Sequence, residues 1–139
     1  MDSSLNKPDQ IVETHSFVNS NLDLFENILN SLESVSAEAK SFLKEKVSSE
    51  GKVNNQLLEK HQHEGHGYAW FETYRIALRE TLNWFKTLKK LDKSTKLESG
   101  ILIFSFAEYL CQMRSGIMMS QTEVILSLIH ISEPTRHLL

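Results

Sequence analysis

Apolar residues first fall into register at Ile11, Val18, Leu22, Phe25, Leu29 and Leu32, spaced by three, four or seven positions. That recurrence puts one stripe on an α-helix. Asn19, Ser20 and Asn21 weaken its middle, because their side chains compete for backbone hydrogen bonds. A second helix is expected over 36–50, with Val35, Ala39, Phe42, Leu43 and Val47 apolar, Ser36 as N-cap and Gly51 as its stop. Asn54 is a cap candidate for a short third segment carrying Leu57 and Leu58. The heaviest pattern lies over 66–91. Phe71, Tyr74, Leu78, Leu82, Phe85 and Leu88 share one face, and Trp70, Ile76, Ala77 and Trp84 widen it. Each such side chain, once buried, is worth roughly 1.5–3 kcal/mol before entropy. This helix is therefore expected at the centre of the core. Leu78→Ala should cost about 2–5 kcal/mol, and Glu72→Ala little.

A further helix opens at Thr95, where Thr95 and Glu98 make a capping-box pattern, and Gly116 ends it. Leu97, Ile101, Leu102, Ile103, Phe104, Phe106 and Leu110 leave it apolar on nearly every side. A helix of that kind is usually covered on more than one face, and this chain has few neighbours to cover it. The expected fold is all-α: a bundle or hairpin array of about four helices, incomplete as a domain, with a partner missing from the 101–110 face. Ile101, Phe104 and Leu110 are the interface candidates. Trp70, Phe71, Tyr74, Leu78, Leu82 and Phe85 are the packing candidates. Ser120 and Glu123 form a second capping-box pattern that announces another helix. The polar residues 1–10, with Pro8, are expected to be loose.

Composition removes several classes of function. Fifteen Lys and Arg against 18 Asp and Glu leave a net charge of −3, which gives no support for nucleic-acid binding. Five glycines and two prolines in 139 residues supply few strand turns and favour helices. Cys111 is the single cysteine and sits in an apolar run, so a buried small hydrophobe is expected there. The absence of a disulfide framework and of a signal-peptide pattern points to a cytoplasmic location. The most apolar run, 101–111, is too short to span a bilayer and contains Glu108.

Candidate chemistry is sparse. His61, His63 and His66 cluster beside Glu64. His63 and His66, three apart, are able to share a helix face and are the weak metal candidates. Their spacing matches no strong zinc signature, so polar groups near a helix start are the simpler reading. Lys86, Lys89, Lys90, Lys93 and Lys96 read as a solvated face and a partner for the negative helix end, ahead of a coenzyme-phosphate site. Trp70, Tyr74, Trp84 and Phe85 read as core ahead of a cofactor box. Glu108 has no second acid fixed beside it, which leaves a general-base role weak. No Gly-rich phosphate loop, nucleophile elbow or metalloprotease motif is present, and no catalytic residue is identified.

The matching residues Gln62, His63, His66, Gly67, Ala69, Trp70, Thr73, Tyr74, Ala77, Leu78 and Arg79, with Glu108, Tyr109, Leu110, Gln112, Gly116, Ile117, Met119, Ser120, Gln121 and Glu123, resemble the N-terminal helical segment of a group of flavin-dependent acyl-CoA dehydrogenases. Met118 stands where that group often has Pro, and the resemblance is weaker over 1–35. It implies a non-catalytic segment of a larger enzyme whose body binds FAD and dehydrogenates an acyl thioester. No cofactor is expected on this segment itself. Its partner is expected to be the missing dehydrogenase body or another subunit. The resemblance stops at about Ile125. Residues 126–136 resemble the translated end of a transposon-type sequencing adapter, so 126–139 is set aside from the fold. Three units are thus expected: a loosely matched helix over 1–35, the dehydrogenase-like helical region over 36–125, and the artefactual tail over 126–139. The alternatives are a stand-alone helical interaction module and a small metal protein built on His63 and His66.

Overall fold

The computed structural model of the chain describes residues 7–119 and 124–125. Five helices make up the described fold: α1 (Lys7–Ser20), α2 (Leu22–Val47), α3 (Asn55–Lys60), α4 (Gln62–Lys90) and α5 (Lys96–Ser115). Two short antiparallel pairings accompany them, one between α2 and α3 and one after α5. β1 (Ser48–Ser49) pairs with β2 (Lys52–Val53), and β3 (Ile117–Met118) pairs with β4 (Val124–Ile125). The architecture is all-α, as the periodicity implies. No described helix is long and apolar enough to cross a membrane.

α4 is the central member. Phe71, Leu78, Leu82 and Phe85 are all buried along one face, at positions that return to the same side of the helix every two turns. α2 packs on one side of it and α5 on another, while α1 lies against α5. Phe25 of α2 meets Phe106 of α5 edge to face, with ring centroids 4.8 Å apart. Ile76 and Trp84, expected to widen the face, are exposed instead. They lie two positions before and six after Leu78, which carries both to the far side of the helix.

The first two helices depart from the expected boundaries. The stripe over 11–32 is interrupted at Asn21, between α1 and α2. The asparagines achieve this by bonding to backbone: Asn19 Nδ2 donates to the His15 carbonyl at 2.9 Å and Asn21 Nδ2 to the Phe17 carbonyl at 2.8 Å. No boundary falls at Ser36. α2 runs straight through it, because the Ser36 hydroxyl is buried and donates to Glu72 Oε1 across the helix interface rather than capping its own backbone. Gly51 is likewise not a helix stop. α2 ends at Val47, and Glu50 (φ 54°) with Gly51 (φ 77°) forms the two-residue turn of the β1–β2 hairpin.

Three local signals are realised where expected. Asn54 caps α3, its side chain accepting from the Gln56 and Leu57 amides at 2.9 and 3.1 Å. Thr95 and Glu98 form the capping box of α5. Gly116, at φ 135°, ends α5, in a region that favours glycine. α1 starts at Lys7, earlier than the loose terminus expected over 1–10, with Pro8 in its first turn. α4 starts at Gln62, earlier than His66, and runs through Gly65 and Gly67. Val124 and Ile125 are extended, where a further helix was expected. The capping-box residues 120–123 and the tail 126–139 lie outside the described residues.

Candidate functional site

α5 carries two unlike faces. Its capping box fixes the start of the helix: the Leu97 amide donates to Thr95 Oγ1 at 3.2 Å and the Thr95 amide to Glu98 Oε2 at 2.7 Å. From that start Ser99, Leu102, Phe106 and Met113 turn inward and are buried. Ser99 anchors α1 as well, with its Oγ 2.7 Å from His15 Nδ1. The opposite side is bare. Leu97 is 68% exposed, Ile101 43% and Phe104 69%, and Gly100 lies between them. Shallow grooves flank Phe104. One, of about 560 Å³, is lined by Lys96, Leu97, Gly100 and Ile101. The other, of about 430 Å³, is lined by Thr14, Ile103 and Ala107 together with Gly100.

Among the interface candidates, Ile101 and Phe104 therefore stand in the open, whereas Leu110 is half-buried against the core. Leu97 and Gly100 belong to the bare surface as well, though neither is among the interface candidates. Cys111 is exposed, not buried, because it falls on this outer side of α5.

The aromatic residues of α4 split in the same way. Phe71, Leu78, Leu82 and Phe85 are core, while Trp70 and Tyr74 are half-buried and pack against its edge. Tyr74 stacks on Tyr109 with centroids 4.6 Å apart and planes 5° from parallel, and Trp70 meets Tyr74 edge to face at 6.0 Å. The Tyr74 hydroxyl donates to Gln112 Oε1 at 2.7 Å, and Gln112 Nε2 donates to Glu108 Oε1 at 2.7 Å. Burial pushes the Tyr74 phenol above its ordinary value. Glu108 is an exposed acceptor at the end of this chain of bonds.

His61 Nδ1 lies 3.2 Å from Glu64 Oε1, and His66 Nε2 accepts from Trp70 Nε1 at 3.3 Å. Among the described residues no group of three or more His, Cys, Asp or Glu is placed to hold a metal ion. His66 also borders an open groove of about 740 Å³ with Leu43, Asn55, Leu58 and Gln62.

Two of the lysines read as a solvated face have specific tasks. Lys86 donates to Glu26, which also accepts from Arg79 Nη1 at 2.6 Å. Lys89 Nζ donates to the Asn19 carbonyl at 3.1 Å, beside the α1–α2 break. The bond from Lys86, with that from Arg79, holds the Glu26 carboxyl below the ordinary glutamate value. Further along the α2–α4 interface, Arg75 grips both oxygens of Glu72 at 2.8 and 3.0 Å. Ser36 donates to the same carboxylate and also lies 3.3 Å from the Tyr68 hydroxyl.

The Arg75 grip, joined by the Ser36 bond, lowers the Glu72 carboxyl as well. The unfolded chain therefore takes up these protons first as pH falls. The stability they supply is complete above the ordinary glutamate value and is lost as pH drops through the folded-state value. Glu72→Gln should flatten the acid limb of a urea-unfolding stability profile. Glu72→Ala strips the carboxylate from buried Ser36 and should cost about 1–3 kcal/mol, more than the small loss its sequence position suggested.

No protein-family model matches the chain. The chain is similar to the (2S)-methylsuccinyl-CoA dehydrogenase of Cereibacter sphaeroides, at 39% identity over 102 residues. The match covers 73% of this chain and 19% of that protein, so the chain spans about a fifth of the length of the relative it matches.

Proposed function

We propose that this chain is the non-catalytic N-terminal helical segment of a flavin-dependent acyl-CoA dehydrogenase. Its task is to pack against the dehydrogenase body or a neighbouring subunit through the outer face of α5. The observation that carries this reading is the 39% identity over a stretch amounting to 19% of a methylsuccinyl-CoA dehydrogenase. The bare Leu97, Ile101 and Phe104 surface supports it, since contiguous apolar exposure marks a contact waiting for its partner. The parent's chemistry, removal of hydrogens from the α and β carbons of an acyl-CoA thioester onto FAD, is assigned to residues outside this segment. Trp70, Phe71, Tyr74, Leu78, Leu82 and Phe85 serve the segment's own packing. In this reading residues 126–139 are not the natural continuation, and the parent works in the cytoplasm.

Sequencing the locus from intact DNA tests the reading. An in-frame continuation beyond the Ile125 codon into a glycine-rich, Thr-Glu-Pro-bearing body is the expected result. A stop codon there would leave a stand-alone helical interaction module, and genomic DNA encoding residues 126–136 in that frame would defeat the reading of the tail.

A further inference from the structure

We infer that the outer face of α5 is built to pair with the same face of a second copy of this chain, antiparallel and about a two-fold axis. The argument lies in one row of the helix. Lys96, Gly100, Phe104 and Glu108 are spaced four apart, and residues so spaced form a continuous ridge on an α-helix. Read in order, the ridge is a cation, a gap, a knob and an anion. Turned end for end, it is its own complement. Two copies crossing at the midpoint between Gly100 and Phe104 set each Phe104 ring over the partner's Gly100, and each Lys96 against the partner's Glu108.

Every element of that ridge is available. Lys96, Phe104 and Glu108 are exposed. Glu108 Oε1 accepts from Gln112 Nε2 within the same helix, with the side chain at the surface. A Cβ built on Gly100 meets nothing within 4 Å, so the space above it is open to a ring from outside. Leu97 and Ile101 wall the groove on one side of the ridge and Ala107 on the other, adding apolar area around the two rings. Ridges spaced by four pack at about −50° between helices, and Gly100 permits the close axial approach that such a crossing needs. The contact is isologous and closes on itself.

The inference rests on the proposed function only in treating this face as an interface, and it names the occupant. Locus sequencing addresses the parent, whereas the oligomeric state of the full chain addresses the pairing, so each fails separately. Analytical ultracentrifugation of the full chain should show a reversible dimer with a dissociation constant below about 1 mM. Gly100→Leu fills the gap with a better helix former. It should leave the thermal midpoint undiminished and abolish the dimer. Lys96→Glu and Glu108→Lys should each weaken association about tenfold, since each places two like-charge contacts in the dimer, and the double exchange should restore it. A chain that stays monomeric to about 1 mM would mean that another part of a longer polypeptide covers α5, and would overturn the proposal. So would a dimer indifferent to Gly100→Leu, or a double exchange no better than the single ones.

Discussion

Leu78→Ala lowers the unfolding free energy by about 2–5 kcal/mol. Leu78 is fully buried at the middle of α4, where that helix is flanked by α2 and α5. Truncation removes most of a leucine side chain and leaves a void that the flanking helices close only in part. The cost is the lost transfer energy plus the residual cavity, and for a domain of this size it is a large share of the net stability of about 5–15 kcal/mol. Urea unfolding followed by far-ultraviolet circular dichroism reads it directly. Ile76→Ala on the same helix, at an exposed position, should stay within about 0.5 kcal/mol. Equal losses at Leu78 and Ile76 would place the core on the wrong side of α4.

Phe106→Ala and Phe104→Ala should differ more sharply still, although the two residues stand two apart on one helix. Phe106 is 2% exposed and packs edge to face on Phe25. Its truncation should cost about 3–5 kcal/mol. Phe104 is 69% exposed, and its truncation should change the unfolding free energy of a dilute chain by no more than about 0.5 kcal/mol. The same Phe104→Ala change removes the knob of the α5 ridge. An unaltered unfolding curve together with altered self-association would therefore separate folding from contact in a single protein.

Those two phenylalanines mark where the sequence is legible and where it is not. α4 is readable because its apolar residues keep one period and leave an opposite polar side. Its buried set, Phe71, Leu78, Leu82 and Phe85, falls within the face that spacing picks out, while Tyr74 and Leu88 of that face are half-buried. The caps at Asn54 and Thr95 and the stop at Gly116 are readable because each is a local backbone event. α5 offers no such contrast. It is apolar on nearly every side, so periodicity shows that there is too much apolar surface without showing which part stays bare. The tertiary setting decides: α1, α2 and α4 take the Ser99, Leu102 and Phe106 side and Leu110 is half-buried against the core, leaving Leu97, Phe104 and Cys111 outside. Ser36 fails as a helix cap for a related reason. Its hydroxyl finds Glu72 on another helix, a partner 36 positions away that no local pattern reveals. Gly100 carries no signal of its own until the charges and the ring on its ridge are considered together.

The contact between His15 and Ser99 joins positions 84 apart in sequence. Closing so long a loop is entropically expensive and slow compared with forming helices or zipping neighbours. α2, α3 and α4 follow one another along the chain and make their contacts over shorter separations. They are expected to assemble early, with α1 settling onto α5 as a late kinetic event. Stopped-flow refolding should then show His15→Ala accelerating unfolding while leaving the refolding rate nearly unchanged. During synthesis, α1 emerges before α5 yet must wait for it before it acquires its seat.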